Sequence, residues 1–171
     1  VDYDGDGDWD FICGETTGRI AFLENLSGPG VERPKWAAPV YLTAGGKEIR
    51  FDGRPNVAVQ GPMERNYGYS ACSAADWDGD GFIDVMAIGT AGDVFLFRNP
   101  GKKGATDLEP GVPVEVEFKD GRQPLCFWEW RGDPGKRLRT PWRTNPQMHD
   151  WNKDGLMDLI SLDWKGHFVL Y

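Results

Sequence analysis

Asp76-Trp77-Asp78-Gly79-Asp80-Gly81-Phe82-Ile83-Asp84 sets carboxylates at positions 1, 3, 5 and 9 of a nine-residue run, with glycine at position 6. Alternating acids aim oxygens at one point, the glycine allows a sharp backbone turn, and the last aspartate closes a cage around a hard cation. A donor set made only of oxygen favours calcium over zinc or copper. The same run stands at Asp2 to Asp10 and at Asp150 to Asp158, each copy 74 residues from the last. A site recurring at a fixed period marks an array of like units, and repeats of this kind dictate the whole architecture.

The copies match beyond the loop. Phe11-Ile12, Val85-Met86 and Leu159-Ile160 each open an apolar strand, and Gly18, Gly92 and Gly166 mark the turn that follows. Arg19 to Leu23, Asp93 to Phe97 and His167 to Tyr171 then read as second strands, with Asn25 and Asn99 ending the first two. Val85-Met86-Ala87-Ile88 is apolar on both faces, which predicts a sheet sandwiched between two others. The repeats run 1–74, 75–148 and 149–171, the last one truncated.

These loops and their following hairpins resemble the FG-GAP and VCBS repeats, the calcium-bearing blades of integrin-alpha-like β-propellers and of many secreted bacterial proteins. The resemblance covers nearly the whole chain and is carried by the three loops; residues 27–66 and 101–140 contribute little to it. It implies an all-β fold of four-stranded antiparallel blades, with the calcium loop joining the innermost strand to the second. A propeller closes with four to eight blades. Three repeats, one truncated, are therefore expected to be a segment of a larger propeller, whose remainder would be a partner of these sheets.

Composition agrees with that class. Glycine (23) and proline (12) are abundant, aromatic residues reach 13%, and no long helical period appears, as in all-β folds with many turns. The net charge of −8 is misleading, because the eleven carboxylates expected as ligands carry it: Asp2, Asp4, Asp6 and Asp10 in the first loop, four in the second and three in the last. Without them the balance turns to +3, so the acidity says little about partners. Cys13, Cys72 and Cys126 have no zinc-like spacing and read as inert thiols. No transmembrane run is present. Extracellular calcium modules bind at about 0.1 to 1 mM, above cytosolic calcium, so a secreted, periplasmic or cell-surface location is expected.

Up to three structural calcium ions are expected. The first site would use Asp2, Asp4, Asp6 and Asp10 with the carbonyl of Asp8. The second would use Asp76, Asp78, Asp80 and Asp84 with the carbonyl of Phe82. In the third, Asp150, Asn152, Asp154 and Asp158 join the carbonyl of Leu156, and one charge fewer makes it the weakest. An EF-hand needs glutamate at position 12, where this chain has Cys13, Ala87 and Ser161.

If the implied strand order holds, a ligand surface forms at the end away from the calcium loops. Tyr67 and Tyr69 lie in the first long connection, Trp128, Trp130, Arg139, Trp142 and Arg143 in the second, and Trp164 with Lys165 in a hairpin turn. Flat rings beside cationic groups suit an anionic polysaccharide: rings stack on pyranose faces while arginine pairs with carboxylate or sulfate. The plain alternative is that the rings fill gaps between sheets and the charges are solvated. Nucleic acid is not expected as a partner, since calcium loops imply another compartment.

Three functions stay open. In one, the chain belongs to a secreted carbohydrate-processing protein, a polysaccharide lyase or glycoside hydrolase, and supplies polymer-binding surface. A lyase would need a cation to neutralise the uronate and a tyrosine or histidine base; Tyr67, Tyr69, Arg139, Arg143 and Lys165 are available, with no visible pairing. The others are a non-enzymatic adhesion or protein-interaction module, and a spacer beside a catalytic domain. His149 and His167 read as structural, and the tripeptide Arg131-Gly132-Asp133 is too short to argue from.

Overall fold

A computed structural model describes residues 1–52, 66–121, 134–141 and 144–171. Trp128, Trp130, Trp142 and Arg143, together with Cys126 and the Arg131-Gly132-Asp133 tripeptide, lie outside the described residues. The described residues are all-β with almost no helix. The strands are, in order, β1 (Phe11–Gly14), β2 (Ile20–Leu23), β3 (Val40–Tyr41), β4 (Thr43–Ala44), β5 (Lys47–Glu48), β6 (Ala71–Ala75) and β7 (Asp84–Ile88). They continue with β8 (Val94–Phe97), β9 (Asp107–Leu108), β10 (Val112–Pro113), β11 (Gln147–His149), β12 (Asp158–Leu162) and β13 (Phe168–Leu170).

Three sheets follow the sequence repeat. The first is β1-β2-β3, the second β6-β7-β8-β10 and the third β11-β12-β13, all antiparallel between neighbours. The second is a complete four-stranded meander. Each hairpin expected after a loop is present as β1-β2, β7-β8 and β12-β13. Even the first rung before the loop recurs: Ala75 pairs with Asp84 and His149 with Asp158, and the Asp10 N–H bonds the Val1 carbonyl at 2.7 Å. A fourth, small sheet joins two repeats, because β4 pairs antiparallel with β5 and parallel with β9.

Alternation along each strand decides which residues face which neighbour. On β7, Val85 and Ala87 point toward the first sheet and pack with Tyr3, Ile20, Phe22 and Leu42. Met86 and Ile88 point the other way and pack with Val94, Leu96, Leu138, Met148 and Leu159. All five residues of β7 are buried, so the sandwiched sheet read from the apolar run is what the chain forms. Burial of each such side chain stabilises by about 1.5–3 kcal/mol, and these two layers of contact hold the three sheets together.

Close backbone approach accompanies this packing. A Cβ at Gly14, the last residue of β1, would lie 2.1 Å from the carbonyl oxygen of Ser70. Ser70 itself ties the two repeats: its hydroxyl donates to the Arg19 carbonyl at 2.6 Å and accepts the Glu15 N–H at 2.9 Å. The second and third sheets are joined in the same manner, by the Met148 N–H to the Ser73 hydroxyl at 3.1 Å.

Candidate metal centres and the turn surface

Each aspartate-rich loop is folded by its own side chains. The position-9 aspartate accepts the N–H of position 2 in all three copies: Tyr3 to Asp10 at 2.9 Å, Trp77 to Asp84 at 3.1 Å and Trp151 to Asp158 at 2.8 Å. At position 5, Asp6, Asp80 and Asp154 each accept the N–H two residues on, from Asp8, Phe82 and Leu156, at 2.9 to 3.0 Å. Asp76 accepts from Gly79, Asp80 and Gly81. Positions 4 and 6 have positive φ throughout, at Gly5 and Gly7, at Gly79 and Gly81, and at Lys153 and Gly155. Such angles suit glycine, and Lys153 is the exception.

This folding draws carboxylates together at two places among the described residues. Oxygens of Asp2, Asp4 and Asp10 lie within 4.8 Å of one another, and so do those of Asp76, Asp78 and Asp84. Asp6 and Asp80 stand outside these triads. In the third loop Asp150, Asp154 and Asp158 do not converge in this way; the Asn152 amide instead donates to Asp154 at 3.0 Å. Three mutually close oxygens could hold a metal ion at each of the first two loops, and the third loop brings together no such triad among the described residues.

The clustering acts on the carboxyl groups. Burial pushes Asp84 above the ordinary carboxylate value of 3.8, Asp78 and Asp80 push the same way, and the N–H groups of Asn99 and Trp77 oppose them. Burial also raises Asp4, with Asp10, Asp6 and Glu24 adding to it against the Asp6 N–H. Like charges crowded in this way favour protonation unless a cation offsets them. Arg98 partly does so at the second loop, where its guanidinium pairs with Asp78.

Two features escaped the sequence reading. Asn25 and Asn99 end their strands, yet each also donates its backbone N–H to the position-9 aspartate, at 2.9 Å to Asp10 and 2.7 Å to Asp84. Their recurrence at one spacing was the available signal. Asp8, expected to offer its carbonyl, also buries its side chain: it is 1% exposed, one oxygen accepts the Gly28 N–H at 2.9 Å, and the other has no hydrogen-bond partner. No counterpart exists at Phe82 or Leu156, so no repeat pattern pointed to it.

The loops and the hairpin turns sit at opposite ends of β7 and β12, because each strand runs from loop to turn. Tyr67 and Tyr69 are at the turn end: the Thr90 N–H bonds the Gly68 carbonyl at 2.6 Å, and the two tyrosine rings lie 5.9 Å apart. Arg139 reaches the same turn, through the Thr140 N–H to the Gly92 carbonyl, but its guanidinium is buried and bonds Asp93 at 2.7 Å. Trp164 and Lys165 occupy the turn between β12 and β13, with the ammonium 5.2 Å from the indole centroid. A cavity of about 300 Å³ brings Arg139 and Trp164 together beside His167 and Tyr171, and the two candidate tyrosines do not line it.

Cys13 and Cys72 are free thiols. Burial pushes Cys72 up to about 12, with Cys13 adding to the shift, and its sulfur donates to the Ile12 carbonyl at 3.5 Å. Burial raises Cys13 as well, which keeps both groups in the thiol form at neutral pH. Among the described residues no helix is long and apolar enough to cross a membrane. Compared with protein families, curated proteins and solved structures, the chain finds no match.

Proposed function

We propose that this chain is a calcium-stabilised segment of a β-propeller, of the FG-GAP or VCBS kind, in a secreted carbohydrate-processing protein. The three sheets are its blades, and the turn end supplies polysaccharide-binding surface. One observation carries the reading: two aspartate triads converge in the same loop of successive repeats, at the end opposite the aromatic turns. Recurrence at a position fixed by the sheet supports a structural ion, since a catalytic metal needs one distinctive site with an open coordination position. The complete meander β6-β7-β8-β10 supports the blade, and the paired rings of Tyr67 and Tyr69 support a stacking platform for sugar.

The test is binding in calcium to neutral, uronic and sulfated polysaccharides, followed by mass spectrometry of any products. Binding to an acidic polymer that weakens about fivefold in Tyr67→Ala and in Tyr69→Ala is the expected result, one lost stack being worth about 1 kcal/mol. Retention of none of the polymers would overturn the carbohydrate reading. A non-enzymatic interaction module is the second reading, favoured by the large apolar side chains exposed on the outer sheets, Phe11 and Phe168 among them.

A further inference from the structure

We propose that the first two aspartate loops form one cooperative unit, coupled across the boundary between repeats by residues 99–105, so that ordering either loop orders the other. Neither loop has to hold a metal for the coupling to act.

The connection runs through Tyr3 and Asn99. Tyr3 holds position 2 of the first loop, where Asp10 accepts its N–H at 2.9 Å. Its other two polar groups reach into the second repeat. The carbonyl accepts the Gly104 N–H at 3.0 Å, and the hydroxyl donates to the Ala105 carbonyl at 2.7 Å. The other end of the same segment is fixed by the second loop. Asp84 accepts the Asn99 N–H at 2.7 Å, and the Asn99 side-chain amide donates to the Ile83 carbonyl at 3.1 Å. The side-chain oxygen of Asn99 then accepts the N–H groups of Gly101 and Lys102, at 3.0 and 2.8 Å. Asp10 and Asp84, the position-9 aspartates of successive loops, thus anchor the two ends of one run of hydrogen bonds.

Burial gives the segment two states, docked and released. Tyr3, Asp10, Asp84, Asn99 and Ala105 are all buried. Parting the segment from Tyr3 strands a hydroxyl and a carbonyl away from water, and parting it from Ile83 and Asp84 strands the polar groups of Asn99. Each loss favours release of the whole segment over a half-docked one. The fit against the first loop is also close: a Cβ at Gly104, which holds φ at 63°, would lie 3.0 Å from the Asp4 Cβ. Among the described residues no such segment reaches the third loop, where Trp151 stands at the Tyr3 position and is exposed. Its N–H bonds Asp158 at 2.8 Å, which makes it an internal reference for a loop outside the unit.

Amide hydrogen exchange on the metal-free protein, read residue by residue, tests this with Tyr3→Phe, Asn99→Ala and the double variant. Tyr3→Phe removes a hydroxyl that bonds neither Trp77 nor Asn99. It should still speed exchange at both of those amides, on the order of tenfold, while Trp151 exchanges as in wild type. Asn99→Ala should speed exchange at Tyr3 likewise, and the double variant should go no further than the larger single change. An unchanged Trp77 amide in Tyr3→Phe, an unchanged Tyr3 amide in Asn99→Ala, additive effects, or an equal rise at Trp151 would overturn the proposal. If circular dichroism shows that one variant misfolds, the other decides alone. A calcium titration adds an arm that rests on the calcium reading: Tyr3→Phe should raise severalfold the calcium concentration that half-protects the Trp77 amide. An unshifted midpoint would overturn the coupling, whereas a wild type indifferent to calcium would overturn the calcium reading and leave the metal-free result to decide the coupling.

Discussion

At the scale of the residue, Lys153 marks where the third loop departs from the other two. It holds φ at 62°, where Gly5 and Gly79 hold the same turn at 76°. A left-handed conformation costs a residue with a Cβ about 1 kcal/mol, partly offset because glycine has more freedom to lose on folding. Lys153→Gly should therefore stabilise by about 0.5 kcal/mol, seen as a higher urea midpoint. Asp84 presents the opposite case. Its two oxygens accept the N–H groups of Asn99 and Trp77, and it is buried. Asp84→Asn replaces one acceptor by a donor facing another N–H, which should destabilise by about 1–3 kcal/mol even without metal. The carboxylate spacing was legible because alternation of acids and glycines is a local pattern. The second duty of Asp84, tying residues 77 and 99 across the sheet, was not, since a single sequence shows only what stands at fixed intervals.

At the scale of the element, the hairpins were legible and the short strands were not. β1-β2, β7-β8 and β12-β13 hold apolar runs long enough to show a period, and the turn glycines bound them. β4, β5 and β9 have two residues each, too few for any alternation to be read, and β9 reaches β4 from far along the sequence. The apolar run of β7 told of two buried faces, but nothing in it told which neighbours cover them. Contact between elements is tight where glycine ends β1. Gly14→Ala would drive a methyl group to within 2.1 Å of a backbone carbonyl, which cannot rotate away. We expect a loss of about 1–3 kcal/mol, with a lower denaturant midpoint and an unchanged slope.

At the scale of the molecule, stability should depend jointly on calcium and pH. Chelation should lower the melting temperature in calorimetry, because binding to the folded state alone stabilises it and its loss restores carboxylate repulsion. The sign with pH differs between the two forms. In calcium-free protein Asp4, Asp8 and Asp84 bind protons more readily folded than unfolded. Their contribution is complete below 3.8 and is lost as pH rises through their raised values, so acidification from neutrality should first stabilise the metal-free form. Asp107 and Asp163 are held low by hydrogen bonds from Thr43 and from the His167 backbone; they contribute above 3.8 and lose that contribution as pH falls through their lowered values. Calcium needs ionised carboxylates, so the gain in melting temperature that it confers should shrink over the same acid range. The parallel pair of β4 and β9 should form late in assembly. It joins Thr43 to Asp107 across 64 positions, and the Thr43 and Gly45 N–H groups bond the Thr106 and Leu108 carbonyls at 2.8 Å. Closing so long a loop is slow compared with zipping a hairpin. In pulsed hydrogen exchange those two amides become a clock for the docking of one repeat on the next, ticking after the amides within each hairpin have already gone silent.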